Sequence, residues 1–297
     1  MSGRPALVAA LLLSGCASAA LPETQARNAF PPQQWASACS PEAGWDDPGP
    51  PFRIHGNSWY VGTCGIAAIL ITSPQGHALI DSGTEAGAKV VMANIQRLGF
   101  RLEDVNVLLM SHEHHDHTGG MAALKAATGA RLVASAAAAP VMASGAAALD
   151  DPQFGMNPGF APVVVDQVLG PDGRVELSGV SMQAIATPGH TPGALSWQWR
   201  SCDGTDCRTL VFADSLSAIS SDEYRFGDHP SYVQAFRDGL AKLASAECDL
   251  LLTPHPSASD MRARAASGLP KHGVGCANYA QAKLTQLQTR LAREAAR

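Results

Sequence analysis

The sequence predicts an α/β fold made of two similar halves, packed sheet against sheet with helices on the outside. Three observations carry this. Short apolar runs of strand length end repeatedly in polar loops, and Ala/Leu-rich segments of helical character lie between them. The order strands, helix, loop from Trp59 to about Gln167 is then taken up again from Arg174 onward. The chain of 297 residues is long enough for one large domain with a substantial core.

Taken in chain order, Arg4, the apolar Ala6 to Leu13 and the small residues after them read as an export leader over 1–19, too short to span a membrane. Its end reads two ways: Leu13-Ser14-Gly15-Cys16 resembles a lipoprotein box acylated at Cys16, and Ala17-Ser18-Ala19 fits cleavage before Ala20. Periplasmic export is expected on either reading. Residues 20–56, polar and Pro-rich, are expected to form an extended arm with little regular structure, ahead of a domain over 57–297. Asn57 to Gly62, Ile66 to Thr72 and His77 to Asp81 read as strands, the last two joined by the turn Ser73-Pro74-Gln75-Gly76. Val105 to Met110 is a short buried strand, and Met121 to Thr128, after Gly119-Gly120, a helix. Asp150 to Pro162, with Gln153, Phe154, Met156, Asn157 and Phe160 among glycines and prolines, joins the halves and is placed either to overhang a site or simply to connect. The second half continues with strands at Met182 to Ala186 and Ala194 to Trp199, a helix near Tyr232 to Ala246, the strand Leu250 to Leu252, and a terminal amphipathic helix over Ala280 to Arg297.

Chemistry concentrates after the Val105 to Met110 strand. His112-Glu113-His114-His115-Asp116-His117 are six consecutive potential metal ligands. Residues two apart on a helix face different ways, so His112 and His114 converge only on a loop. The helical His-Glu-x-x-His protease pattern is excluded, because the residue four after His112 is Asp116. Imidazole and carboxylate suit Zn²⁺. His112, His114, Asp116 and His117 exceed one three-ligand site, which points to two adjacent metals completed from elsewhere. Thr187-Pro188-Gly189-His190-Thr191-Pro192-Gly193 carries one histidine on a loop stiffened by two Pro-Gly turns, and Thr253-Pro254-His255-Pro256 another. Each lies at the end of an apolar strand, where residues of one sheet edge can meet.

A net charge of −5 and the lack of a basic run argue against nucleic acid as a partner. Apart from Cys16 there are six cysteines, Cys39, Cys64, Cys202, Cys207, Cys248 and Cys276. An even number in an exported chain suggests three disulfides, for which fifteen pairings exist. Cys202 and Cys207 flank a short hairpin turn and read as a local staple. A cysteine-bound metal is disfavoured, since no Cys-x-x-Cys occurs.

His-x-His-x-Asp-His, then Thr-Pro-Gly-His-Thr-Pro-Gly, then the late Pro-His resemble the metallo-β-lactamase superfamily, an αββα sandwich of dinuclear zinc hydrolases, and within it subclass B3. The resemblance runs from about Trp59 to the C-terminus. It implies one zinc on His112, His114 and His190 and a second on Asp116, His117 and His255, with His115 left without a role. Asp81-Ser82-Gly83 resembles the family's Asp-Gly-Gly. Phe212-Ala213-Asp214-Ser215-Leu216-Ser217 discriminates most: subclass B1 places a zinc-binding cysteine in this region, whereas B3 carries serines, as here. The resemblance implies that Ser215 and Ser217 bind the substrate carboxylate, that Trp59 lines the cleft or fills the hairpin face, and that Cys39 pairs with Cys64 and Cys248 with Cys276.

The implied reaction is hydrolysis of the β-lactam amide. Two Zn²⁺ about 3.5–4 Å apart share a water whose pKa they lower towards roughly 7, and the hydroxide attacks with Asp116 orienting it. No acyl-enzyme and no stable protein partner are expected, and the chain is expected to act as a monomer on a small molecule. The rival is another hydrolase of the same fold, a thioesterase of the glyoxalase II type or a lactonase, in which an Asp after a strand bridges both metals and Asp214 is the candidate.

Overall fold

The structure is a computed structural model describing residues 30–269 and 275–296. The leader, Cys16 and the first part of the arm lie outside the described residues. Among the described residues no helix is long and apolar enough to cross a membrane.

Two mixed sheets form, one from each half. The first has seven strands in sequence order: β1 (Phe52–His55), β2 (Ser58–Tyr60), β3 (Ile69–Ile71), β4 (His77–Ile80), β5 (Val105–Leu109), β6 (Arg131–Ser135) and β7 (Gln167–Leu169). Strands β1 to β4 pair antiparallel and β4 to β7 parallel. The second comprises β8 (Arg174–Leu177), β9 (Val180–Ala186), β10 (Leu195–Asp203), β11 (Asp206–Phe212) and β12 (Leu250–Leu252), with β12 beside β11 in parallel. Parallel pairing needs a crossover, and these are supplied by α2 (Gly87–Arg97), α4 (Met121–Thr128), α5 (Ala138–Ser144) and α6 (Pro230–Ser245).

Alternation along the strands sorts the core into layers. Tyr60, Ile69, Ile80, Leu109, Trp197, Leu210 and Leu252 belong to a core between the sheets. Leu70, Leu79, Leu108 and Leu132 face outward beneath α2 and α4, with Val91, Ile95 and Leu124. Val211 and Leu251 meet Phe236 and Leu240 of α6 and Tyr279 and Leu287 of the last helix, α8 (Cys276–Ala295). This is the expected sandwich, and the second half begins at Arg174 as anticipated.

The arm departs from expectation. Pro32–Ala38 forms a helix, α1, which packs on α7 (Met261–Ala266), and buries Trp35 against Phe52 and Tyr60 at centroid distances of 5.7 and 5.2 Å. Pro32 at its first position suits a helix start, and one buried tryptophan anchors it. Strand β1 also begins ahead of residue 57 and belongs to the sheet.

Among the described residues three disulfides are formed, Cys39–Cys64, Cys202–Cys207 and Cys248–Cys276. The Cys202 and Cys207 residues are direct cross-strand partners on β10 and β11.

Candidate metal centre

The histidine loops meet at one end of the two sheets. Residues His112 to His114 follow β5, and His115–Thr118 make one helical turn, α3, that carries Asp116 and His117. His190 lies between β9 and β10, and His255 follows β12. Ligand atoms of His112, His114 and His190 all lie within 4.8 Å of one another. Their rings stand nearly perpendicular in pairs, at 85°, 87° and 76°, around a common point. Beside them, Asp116 Oδ2 lies 3.0 Å from His117 Nε2 and 3.3 Å from His255 Nε2, and those two nitrogens are 3.2 Å apart. Tetrahedral zinc with ligands at about 2.0 Å requires ligand edges of about 3.3 Å, so this triangle has the right size. His112 and His117, 4.2 Å apart by centroid, join the two groups.

The far side of each ring decides which nitrogen is left over. His112 Nδ1 lies 2.8 Å from Asp214 Oδ1 and shares a hydrogen bond with Ser111 Oγ at 3.2 Å, while its buried Nε2 has no hydrogen-bond partner. His114 Nε2 donates to Asp151 Oδ2 at 3.0 Å, leaving Nδ1. His190 Nδ1 donates to the carbonyl of Ser217 at 3.1 Å, leaving Nε2. His117 Nδ1 lies 3.4 Å from Asp81 Oδ2, leaving Nε2. Carboxylates and carbonyls that fix the tautomer of a ligand histidine are what a metal site requires. Burial, with the imidazoles nearby, holds His112 and His190 well below the usual histidine range, in the neutral form that binds metal. Burial works against ionisation of Asp116, but His117 and then His255 outweigh it and hold the carboxyl far below the usual carboxylate range. The donor set fits two Zn²⁺ ions.

Of the six consecutive candidates, two face elsewhere. Glu113 is buried, and its carboxylate accepts from Thr191 Oγ1 at 2.7 Å and Gly193 N at 2.8 Å. Burial pushes its carboxyl up to about 7 against these donors. A Cβ on Gly193 would stand 2.6 Å from Ala138 N and 2.8 Å from Glu113 Oε1, so only glycine allows that approach. His115 is partly exposed and faces Trp45 at 5.5 Å.

Trp59 does not reach the site, a correction to its assignment as a cleft residue. It is 5% exposed, in the core beneath the outer helices, edge-on to Phe100 at 5.7 Å and under the Arg53 guanidinium. The pleat explains this: Ser58 and Tyr60 face inward, so Trp59 between them faces the helices. The aromatic at the site is Trp45 of the arm, 43% exposed and 6.0 Å from His255. Ser215 Oγ is buried without a partner, whereas Ser217 Oγ lies 3.1 Å from His190 Nδ1.

Three supporting residues had no individual role legible in the sequence. Asp151 and Gln153 come from the Asp150 to Pro162 segment, Gln153 placing its amide nitrogen 3.3 and 3.4 Å from Nδ1 and Nε2 of His190, so that segment does overhang the site. Ser82 Oγ donates to the His117 carbonyl at 2.8 Å and accepts from Gly120 N at 3.1 Å, so the serine in Asp81-Ser82-Gly83 clamps the ligand loop.

The Metallo-beta-lactamase superfamily family model matches residues 61–255. Among solved structures, the chain is 54% identical to MIM-2 metallo-β-lactamase with a TM-score of 0.84, covering 89% of this chain and 98% of that one. It is 47% identical to the metallo-β-lactamase MIM-1 from Novosphingobium pentaromativorans, with a TM-score of 0.86 and the same coverage. It is 37% identical to MEM-A1, a subclass B3 metallo-β-lactamase from a soil metagenome library, with a TM-score of 0.80 over 85% of this chain and 99% of that one. Among curated relatives, the hydroxyacylglutathione hydrolase of Albidiferax ferrireducens is 30% identical over 60% of this chain, which spans only 58% of that relative's length. Two ligand trios, their tautomer-fixing partners and these likenesses agree: the chain belongs to the metallo-β-lactamase superfamily, on its subclass B3 branch.

Proposed function

We propose that this chain hydrolyses the amide bond of β-lactam antibiotics with two zinc ions, held by His112, His114 and His190 and by Asp116, His117 and His255. Asp214 carries the choice against a thioesterase of the glyoxalase II type. A metal-bridging aspartate would stand between the trios. Here Asp214 Oδ1 sits behind the His112 ring, 2.8 Å from Nδ1, and Oδ2 accepts from Leu216 N at 3.2 Å. The carboxylate lies against the ring of a ligand and outside both ligand groups.

Bound zinc would supply an activated water and polarise the lactam carbonyl. The chain's own residues prepare the rest. Asp116, kept ionised, offers a proton acceptor at the edge of the cluster. Ser215, with its hydroxyl unengaged, offers a donor for the substrate carboxylate, and Ser217 contributes through its hold on His190. No side chain is needed as nucleophile, because a strained four-membered amide yields to water.

Periplasmic export is supported by the leader-like start and by three disulfides, which persist in oxidising compartments. Action as a monomer is supported by the fact that one chain completes each ligand trio. Light scattering of the purified protein tests the latter.

Purified protein should hydrolyse a chromogenic cephalosporin, lose that activity in EDTA, regain it with Zn²⁺, and show no covalent adduct by intact mass during turnover. Hydrolysis of a glutathione thioester with no β-lactam turnover would move the assignment to the rival.

A further inference from the structure

The buried face of α8 carries Cys276, Tyr279, Ala280 and Leu287. Lys283 falls on the same stripe, four residues after Tyr279 and four before Leu287, where helical periodicity calls for an apolar side chain. It is partly buried, and burial depresses its ammonium below the usual lysine range. A charge placed inward is costly unless it has a partner. Lys283 has none of the usual kind: among the described residues no carboxylate lies within ion-pairing distance. Asp214, the acid whose charge it feels, stands behind the His112 ring at 2.8 Å from Nδ1 and takes Leu216 N on its other oxygen.

Two contacts lead from this cation, through Tyr279, to the backbone of Asp214 and Ser215. Lys283 Nζ lies 5.1 Å from the centroid of the Tyr279 ring, within cation–π range. The Tyr279 hydroxyl donates to the carbonyls of Asp214 at 3.0 Å and Ser215 at 2.8 Å. The ring under the ammonium is thus pinned to the backbone of the residue whose own hydroxyl is buried and unengaged. Its charge also opposes protonation of His255. Ser217 is occupied by His190.

We propose that Lys283 is a carboxylate-anchoring residue, which pairs with the substrate's carboxylate beside Ser215 and fixes the lactam over the metal trios. This rests on the β-lactamase reading. It assigns the terminal helix a part in substrate selection, beyond packing.

The test is steady-state kinetics of the zinc-loaded enzyme on one cephalosporin as its free acid and as its methyl ester. Lys283→Met keeps the stem over Tyr279 and removes only the charge. A charge-assisted contact of this kind is expected to raise KM for the acid about 10- to 100-fold, with kcat within about threefold. Lys283→Arg should restore most of the affinity, and the ester should show the same KM with wild type and Lys283→Met. Wild-type KM for the acid should rise with salt, and that of Lys283→Met should not. An unmoved KM for the acid, or an equal loss on acid and ester, would overturn the anchor while leaving the β-lactamase assignment intact. Absence of turnover in the wild type would instead overturn that assignment, and the anchor with it.

Discussion

The carboxylate of Glu113 and the backbone N–H of Gly193, 2.8 Å apart, couple the two loops that carry the first ligand trio. Glu113 stands between His112 and His114, and Gly193 closes the turn that holds His190. With Thr191 Oγ1 on its second oxygen, the buried carboxylate sets the distance between those loops before any metal arrives. Position 113, one of six apparent ligands, is a strut.

Glu113→Gln keeps the size but leaves an amide NH₂ facing one of the two donors. The His190 loop should loosen. Losing a partner that orients ligands typically costs about 10–100-fold in metal affinity. Competition titration with a chromogenic zinc chelator should show that loss at the three-histidine site, with circular dichroism unchanged. Wild-type affinity in the variant would refute the strut.

Asp116 and Asp214 separate the two functional readings. Metal analysis of wild type should approach two zincs per chain. Asp116→Asn removes a ligand charge and an acceptor, and should lower kcat on the order of 10²–10⁴-fold with loss of one zinc. Asp214→Asn removes a charge that stands behind the His112 ring, outside both ligand trios, and should be far milder in kcat while keeping both metals. Equal losses of zinc and rate in the two variants would favour a bridging role for Asp214.

The sandwich and the ligands were legible in the sequence because they sit where patterning is strongest. Apolar runs such as Val105 to Leu109 and Leu250 to Leu252 end in histidines that have few other reasons to stand there. What escaped was set by tertiary placement. Trp59 and Trp45 are indistinguishable as letters, and only strand pleat and the path of the arm put one in the core and the other beside His255. Asp151 reaches His114 across 37 residues of sequence, a pairing no local pattern announces. Helix α1 went unread because seven residues among prolines carry too little periodicity to show.

The disulfides should contribute unequally. Cys248–Cys276 closes a separation of 28 residues and ties β12 to α8, whereas Cys202–Cys207 closes 5 within a hairpin already paired by its strands. Loop-closure entropy gives about 3.6 kcal/mol for the first and about 2.2 kcal/mol for the second. Cys248→Ala/Cys276→Ala should therefore lower the denaturation midpoint in guanidinium more than Cys202→Ala/Cys207→Ala. The reverse order would show that native-state effects dominate.

Acid should destabilise the fold through His77. Its ring is buried, edge-on to Phe100 at 5.1 Å, and its Nδ1 accepts from Ser73 N at 3.3 Å, which requires an unprotonated nitrogen. Burial lowers its pKa below 6.5. The sign follows from proton binding: below pH 6.5 the unfolded chain takes up a proton that the folded chain refuses. Stability is therefore intact above pH 6.5 and falls as the pH drops from there towards the folded-state value. His77→Phe keeps an aromatic ring against Phe100 and removes the titration. In chelator-treated protein, where metal release cannot contribute, the fall in Tm between pH 7.5 and 5.0 should be smaller in His77→Phe than in wild type. Identical falls would assign the acid sensitivity to other groups, with His55, whose pKa burial also lowers, the next to test.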